Sequence, residues 1–168
     1  MIAPRVVLVG TMGAGKTTVG GLLADAWGVR LRDTDQDVEA AAGQPVQDIF
    51  VGDGEEAFRA LERAAVAAAL SGHDGVLALG GGAVLSAETR ALLVGHRVVF
   101  LRVSLTDAAK RVGLGVSRPL LLGNVRGRMK QLIDERTPVY ESVATHVVDT
   151  DGLSAEQVAD AVRREVAQ

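Results

Sequence analysis

Short unbroken apolar runs alternate along this chain with longer segments in which apolar residues recur every three or four positions. Runs of the first kind are typical of strands buried on both faces of a parallel sheet, and segments of the second kind are typical of amphipathic helices. Five strands are predicted, at residues 6–9, 28–32, 76–79, 97–103 and 145–149. Because helices separate them, the pattern predicts an α/β fold whose parallel sheet is covered by helices on both faces.

Capping and breaking signals mark where some of these helices begin and end. One helix is expected to run from Asn124 to Arg136, because Pro138 cannot supply the backbone N–H that a helix interior needs. Ser154, three residues before Gln157, has the form of a capping box and predicts the start of the last helix.

A glycine-rich segment, the phosphate loop, joins the first strand to the first helix and reads G-T-M-G-A-G-K-T-T at 10–18. Its glycines allow backbone angles that other residues avoid, so consecutive N–H groups are able to converge on one anion. Lys16 adds a positive charge for the outer phosphates, and the hydroxyl of Thr17 is placed to ligate a magnesium ion. The loop predicts a site for the polyphosphate of ATP or GTP, formed by Gly13, Ala14, Gly15, Lys16, Thr17 and Thr18.

Two carboxylates follow the second strand, in the sequence D-T-D at 33–35. Ligands of parallel α/β sheets bind at the carboxyl ends of strands, and alternate residues of an extended segment point the same way. Asp33 and Asp35 are therefore predicted to face whatever the phosphate loop holds. A structural alternative is that Asp35 only caps the helix that runs toward Ala42. That alternative leaves Asp33 without a role, and we favour the functional interpretation.

Three further segments admit two interpretations each. Arg59 and Glu62 are neighbours on a helix; taken alone, they are better interpreted as solvated surface charges than as part of a site. Three glycines at 80–82 follow the third strand, where many nucleotide-hydrolysing proteins carry an Asp, and we favour contact with a ligand over a tight turn. The glycine-punctuated segment 113–121, which contains Arg118 before a proline, predicts a lid rather than an ordinary surface loop.

Composition narrows the function classes further. Hydrophobic residues make up 48% of the 168 residues and aromatic residues 3%, which indicates one domain, spanning 1–168, with a core of Ala, Val and Leu. A net charge of −3 provides no overall attraction to nucleic acid or to a membrane, so neither is expected as a partner. The lack of cysteine excludes disulfides and thiolate catalysis. With no signal-peptide pattern or membrane-spanning run, we expect a cytoplasmic protein.

Six blocks of sequence together resemble shikimate kinases, which are small P-loop kinases of the nucleoside monophosphate kinase-like group. The blocks are the phosphate loop, D-T-D at 33–35, F-R-x-L-E at 58–62, G-G-G-A-V at 80–84, R-P-L-L at 118–121 and E-R-T-P-V-Y at 135–140. The resemblance spans nearly the whole chain. It implies transfer of the γ-phosphoryl group of ATP to the 3-hydroxyl of shikimate with Mg²⁺. It also implies a three-layer α/β/α P-loop kinase fold with a lid, whose five-stranded parallel sheet has the order 2-3-1-4-5.

The resemblance implies roles for individual residues as well. Lys16, Asp35 and Arg118 are the implied catalytic residues. Asp35 holds the accepting hydroxyl and is the candidate base, while Arg118 closes over the phosphates beside Lys16. Asp33 supports the Mg²⁺ bound at Thr17 through water. The implied ligands of shikimate, besides Asp35, are the side chains of Arg59 and Arg136 and the backbone N–H groups of Gly81 and Gly82.

The adenine end of the nucleotide site departs from the family pattern. The turn after the last strand, where members often place a basic or polar residue against the adenine, here reads D-G-L and ends at Leu153. Backbone contacts at this turn are expected instead, together with stacking of Arg111 on the base. The implied domain has substrate-binding helices at about 34–63 and a lid at about 113–123, and we expect a monomer.

Two alternatives come from different classes of protein. Another small-molecule P-loop kinase, such as a gluconate kinase, would keep the phosphate loop and change the acceptor site, but the blocks at 33–35, 58–62 and 80–82 argue against it. A nucleotide-dependent switch of the GTPase kind would carry an N-K-x-D guanine motif, which this sequence lacks.

Overall fold

Five parallel strands form one sheet in the computed structural model, which describes residues 2–112 and 119–167, with the backbone alone at 119–124. The strands are β1 (Val6–Val9), β2 (Leu31–Asp33), β3 (Val76–Ala78), β4 (Val98–Arg102) and β5 (His146–Asp149). They lie in the order β2-β3-β1-β4-β5, and every neighbouring pair is parallel. The predicted order of the sheet is confirmed.

Seven helices accompany the sheet in this part of the chain. They are α1 (Lys16–Trp27), α2 (Thr34–Ala42), α3 (Val46–Gly72), α4 (Ala87–Leu93), α5 (Leu105–Arg111), α6 (Pro119–Val143) and α7 (Ala155–Val166). Gly54, with φ 88° and ψ 168°, divides α3 into a short and a long part. Ser154 and Gln157 form the predicted capping box of α7. A 3-10 turn at Ala83–Leu85 follows the three glycines.

Alternate residues of β1 face opposite sides of the sheet, which explains its unbroken apolar sequence. Val6 and Leu8 pack in one core cluster with residues of α1 and α7, and Val7 and Val9 pack in a second cluster with residues of α3 and α6. All four valine and leucine side chains of β1 are buried. The helices therefore cover both faces, and the three-layer α/β/α architecture is confirmed.

None of the described helices combines the length and the apolar character that spanning a membrane requires.

Helix α6 continues past the point where its end was predicted. It passes through Pro138, although the sequence predicted an end at Arg136. Pro138 is exposed, so the backbone bond that it removes lies on the solvent side of the helix. The hydroxyl of Thr137 donates to the carbonyl of Ile133 (2.6 Å). Tyr140, two residues after Pro138, is buried. Packing of the helix on the sheet thus outweighs the local effect of the proline.

The start of α6 also differs from the prediction. The helix begins at Pro119 rather than at Asn124, so part of the predicted lid at 113–123 belongs to this helix. Residues 113–118, with Arg118, lie outside the described part of the chain, and the lid stays a prediction.

Three adjacent strands position the candidate site. The phosphate loop follows β1, the D-T-D segment lies at the end of β2, and the three glycines at 80–82 follow β3. Because β2, β3 and β1 are neighbours in a parallel sheet, these segments meet at the carboxyl edge although they are far apart in sequence.

Candidate active site

A cavity of about 750 Å³ opens at this edge of the sheet. Every predicted site residue that the structure describes lines it. These residues are Gly13, Ala14, Gly15, Lys16, Thr17, Thr18, Asp33, Asp35, Arg59, Gly81, Gly82, Arg111, Arg136 and Leu153. Arg118 lies outside the described residues. The cavity thus brings the predicted phosphate-binding and acceptor-binding residues into one space.

The phosphate loop depends on glycines at positions that other residues could not occupy. Gly13 (φ 84°) and Gly15 (φ 92°) have left-handed backbone angles, and a Cβ on Gly13 would lie 2.8 Å from the carbonyl oxygen of Ala108. Gly15 is the N-cap of α1 and supplies no side chain to bond the first N–H groups of that helix. Those N–H groups, at the positive end of the helix dipole, are available to an anion.

Lys16 is folded against the loop that carries it. Its Nζ donates to the carbonyl oxygens of Gly10 (2.6 Å) and Thr11 (3.1 Å). Burial lowers the pKa of Lys16 to about 8, against the raising effect of Asp35 and, next, of Asp33. A bound anion would favour the charged form again, so Lys16 is suited to neutralise phosphate oxygens at the loop.

The D-T-D segment folds differently from the prediction, although both carboxylates line the cavity. Asp33 ends β2 and is the N-cap of α2, which places Asp35 in the first turn of a helix and not in an extended segment. Oδ1 of Asp33 accepts a hydrogen bond from the N–H of Asp35 (2.8 Å). The alternative in which Asp35 caps this helix is therefore wrong, because Asp33 is the N-cap and accepts the N–H of Asp35.

The other oxygen of Asp33 contacts the phosphate loop. Oδ2 accepts a hydrogen bond from the hydroxyl of Thr17 (2.9 Å). A hydroxyl and a carboxylate beside a phosphate-binding loop are the hard oxygen ligands that Mg²⁺ prefers. This pair of side chains therefore fits a magnesium ion bound next to the phosphates.

Asp35 has the electrostatic surroundings of a proton acceptor. Burial raises the pKa of its carboxyl group, and the neighbouring charge of Asp33 raises it further, while Lys16 opposes the shift. A carboxylate with a raised pKa accepts a proton more readily than one in water. Asp35 is therefore able to serve as a base within the cavity.

The three glycines place backbone directly against charged side chains. A Cβ on Gly80 would lie 2.6 Å from Oδ1 of Asp35, and a Cβ on Gly82 would lie 2.5 Å from Nη1 of Arg59. Gly81 is next to Arg136, whose Nη1 would be 3.7 Å from such a Cβ. A larger residue at 80 or 82 would displace a side chain that lines the cavity, so this segment does more than turn the chain.

Arg59 and Glu62 form a partly buried ion pair. Nη1 of Arg59 donates to Oε1 of Glu62 (2.8 Å), and Glu62 is only 3% exposed. Burial raises the pKa of Glu62, and the hydrogen bond and charge of Arg59 oppose this shift. The interpretation of these residues as solvated surface charges is therefore wrong. Glu62 holds the guanidinium of Arg59 at the wall of the cavity.

Arg111 connects the phosphate loop to the end of β5. Its guanidinium donates to the carbonyl oxygens of Gly13 (3.2 Å) and Ala14 (3.3 Å) and to both oxygens of Thr150 (3.0 and 2.9 Å). These bonds hold the guanidinium between the phosphate loop and the residue that follows β5. Arg111 and Leu153 both line the cavity, and their contact with adenine stays a prediction.

Comparison with known proteins identifies the family. A family model described as shikimate kinase matches residues 12–167. The chain belongs to the shikimate kinase family. The shikimate kinase of Thermobifida fusca (strain YX) is 58% identical over 163 residues, covering 97% of this chain and 95% of that protein. The structure of the shikimate kinase from Acinetobacter baumannii in complex with shikimate has a TM-score of 0.88 at 30% identity, covering 99% of this chain and 94% of that chain.

Membership of the shikimate kinase family confirms the resemblance that the six sequence blocks indicated. A gluconokinase from Sinorhizobium meliloti 1021 is also similar, with a TM-score of 0.62, but at 20% identity this likeness shows the fold alone. The gluconate kinase alternative thus has no support beyond a shared architecture.

Two residues of the site were missed at the level of sequence. Thr34 is fully buried, and its hydroxyl accepts a hydrogen bond from the N–H of Gly80 (3.1 Å). Tyr140 is 1% exposed, and its hydroxyl donates to the carbonyl of Gly81 (2.5 Å). Tyr140 follows Arg136 by four residues, and helical spacing places these two on one face. That spacing was a usable signal, whereas nothing in the sequence marks the partner of Thr34.

Proposed function

We propose that this member of the shikimate kinase family transfers the γ-phosphoryl group of ATP to the 3-hydroxyl of shikimate, yielding ADP and shikimate 3-phosphate for aromatic amino-acid biosynthesis. The observation that carries the proposal is the one cavity in which Lys16 of the phosphate loop meets Asp35, Arg59 and Arg136. Family membership, and a relative solved in complex with shikimate, support this choice of acceptor.

The phosphate loop binds the donor. Its backbone N–H groups from Gly13 to Thr18 surround the phosphates at the start of α1. Negative charge spreads over the oxygen atoms of the phosphoryl group during transfer, and nearby cations stabilise that charge. We assign this role to Lys16 and, from the sequence, to Arg118, with Arg111 and Leu153 toward the adenine.

Mg²⁺ is the metal that the site fits. Thr17 is the proposed ligand, and Asp33, which accepts the hydroxyl of Thr17 at 2.9 Å, is proposed to support the ion through water. When bound, Mg²⁺ would neutralise charge on the β- and γ-phosphates.

The acceptor side carries two arginines for the carboxylate of shikimate. Arg59 is held by Glu62 at 2.8 Å, and Arg136 lines the same cavity next to Gly81. A planar guanidinium matches the two oxygens of a carboxylate, which accounts for arginine rather than lysine at these positions. The backbone N–H groups of Gly81 and Gly82 are proposed to donate further hydrogen bonds to the substrate.

Asp35 is the proposed base. As the bond forms between the 3-hydroxyl oxygen and the γ-phosphorus, the bond from that phosphorus to ADP breaks and the hydroxyl proton passes to Asp35. Its raised pKa favours acceptance of this proton, and its place beside Lys16 lets it orient the hydroxyl toward the phosphoryl group.

The chain acts as one domain, with substrate-binding helices at about 34–63 and a lid at about 113–123 whose closure would exclude water from the transfer. We propose a cytoplasmic monomer with neither nucleic acid nor membrane as a partner.

A coupled assay of ADP release tests the function. Purified protein, ATP and Mg²⁺ are supplied in turn with shikimate, gluconate and nucleoside monophosphates. We expect saturable turnover with shikimate and none with gluconate or a nucleoside monophosphate. Turnover with gluconate or a nucleotide and none with shikimate would contradict the proposal.

A further inference from the structure

Thr34 links two loops of the site from a position that is closed to solvent. It is the first residue of α2, between Asp33 and Asp35, and it is 0% exposed. Its hydroxyl oxygen accepts a hydrogen bond from the N–H of Gly80 at 3.1 Å, and both atoms are buried. The bond joins residues that are 46 positions apart in sequence. This hydrogen bond therefore connects the D-T-D segment directly to the three glycines.

Gly80 is also the backbone against which Asp35 rests. A Cβ on Gly80 would lie 2.6 Å from Oδ1 of Asp35 and 3.0 Å from Oε2 of Glu62. Two carboxylates thus approach the same α-carbon, and no side chain there could coexist with their present positions. A shift of the Gly80 backbone would change the space that Asp35 occupies, because the carboxylate fills part of the space that a side chain at position 80 would take.

We propose that Thr34 is a positioning residue for phosphoryl transfer: its hydroxyl holds Gly80 in place and thereby keeps the carboxylate of Asp35 aimed at the accepting hydroxyl. The proposal rests on the proposed function of Asp35. A misplacement of about 1 Å at a reacting group can lower the rate about 100-fold, so a hydrogen bond next to the base acts on the rate of transfer more than on nucleotide binding. Asp33, the residue before Thr34, is the N-cap of the same helix and accepts the N–H of Asp35 at 2.8 Å.

Two variants of Thr34 distinguish the effect of its hydroxyl from the effect of the shape of its side chain. Thr34→Val keeps the volume of the side chain and leaves the buried N–H of Gly80 without its acceptor. We expect kcat with shikimate to fall about 10-fold, with the KM for ATP within about 2-fold of wild type. Thr34→Ser keeps the hydroxyl and is expected to restore kcat to within about 3-fold of wild type.

A purely structural role would give a different pattern. It would lower the melting temperature of Thr34→Val without changing kcat for the folded fraction, and this result would overturn the proposal. Should Thr34→Val not fold, Thr34→Ala provides the second test, because it removes the same acceptor without placing a second methyl group beside the N–H of Gly80. Its kcat should fall while ATP binding persists; unchanged kcat in that variant would also overturn the proposal.

A double-mutant cycle shows whether Thr34 acts through Asp35. If it does, Thr34→Val adds less than about 2-fold to the loss of kcat already caused by Asp35→Asn. An additional loss of about 10-fold in that background would overturn the proposed route. Wild-type turnover in the same assay reports separately on the function, because failure of wild type with shikimate would refute the reaction and not the link from Thr34 to Gly80.

Discussion

Burial moves the pKa values of Lys16 and Asp35 toward neutrality from opposite directions. The pKa of Lys16 is lowered to about 8, and that of Asp35 is raised by burial and by Asp33. Facing groups with shifts of this kind are suited to acid–base and charge-stabilising roles at physiological pH. The arrangement comes from two sequence segments that the sheet brings together, since neither group would be buried in its own segment.

Replacement of Asp35 by Asn tests its role in transfer. Asn keeps the shape of the side chain but cannot accept the proton, so kcat is expected to fall by at least about 100-fold while ATP binding stays nearly intact. Steady-state kinetics and calorimetric titration with ATP measure the two effects. Near-normal turnover would refute the assignment of the base.

Proton uptake on ATP binding tests the pKa of Lys16. In the ligand-free protein Lys16 is largely neutral above pH 8, and phosphate oxygens would return it to the charged form. At pH 9, Lys16 should therefore take up a proton when ATP binds. At pH 7, Lys16 already carries that proton before ATP binds. Calorimetry in buffers of different ionisation enthalpy measures this uptake.

Lys16→Arg is the matched control for that measurement, because arginine stays charged at both pH values. Uptake that is equal at pH 7 and pH 9, or uptake that persists in the arginine variant, would count against the lowered pKa of Lys16.

At the scale of elements, the segment after β3 is held by side chains from three helices. Thr34 of α2 accepts the N–H of Gly80, and Tyr140 of α6 donates to the carbonyl of Gly81. Arg90 of α4 donates to the carbonyls of Val84 (2.8 Å) and Leu85 (2.9 Å) in the 3-10 turn. The glycines give this segment little side-chain volume, and these hydrogen bonds fix the position of its backbone.

Removal of the Tyr140 hydroxyl tests whether this anchoring matters for the acceptor. Tyr140→Phe keeps the ring packed on Phe100 but leaves the carbonyl of Gly81 without its donor. The KM for shikimate should rise about 5-fold or more, with the KM for ATP nearly unchanged. Ser142→Ala removes an exposed hydroxyl from the same helix and should alter neither constant. An equal rise in both KM values would argue for general destabilisation instead.

Hydrogen exchange of the backbone, measured with and without ligands, tests the predicted lid. Backbone N–H groups at 113–123 should exchange more slowly with ATP and shikimate present than with neither, because closure over the phosphates would protect them. Peptides from α4, which contributes no residue to the lining of the cavity, serve as the control. Equal exchange with and without ligands would contradict lid closure.

Local sequence patterns predicted the strands well but not every boundary. The unbroken run of β1 and the capping box of α7 are local signals, and both elements were predicted correctly. The passage of α6 through Pro138 could not be predicted, because it depends on packing that the proline rule ignores. The burial of Glu62 could not be predicted either, since it depends on the space left by Gly80 from another element.

For the whole molecule, the order of the sheet explains why few local motifs were enough to locate the site. Three motifs follow β1, β2 and β3, and their adjacency in the order β2-β3-β1-β4-β5 places them at one edge. The motifs did not reveal the hydrogen bonds that connect these segments, such as those between Thr34 and Gly80 and between Tyr140 and Gly81. These bonds join residues that only the folded chain brings into contact.

The identity of the product tests whether the γ-phosphoryl group of ATP is transferred to the 3-hydroxyl of shikimate. ATP, Mg²⁺ and shikimate are incubated with the protein, and phosphorus and proton NMR identify where the phosphoryl group resides. We predict one equivalent of shikimate 3-phosphate for each ADP formed, at a rate that falls about 100-fold in Asp35→Asn. Inorganic phosphate as the sole product besides ADP, or phosphate on another hydroxyl, would contradict the proposed reaction.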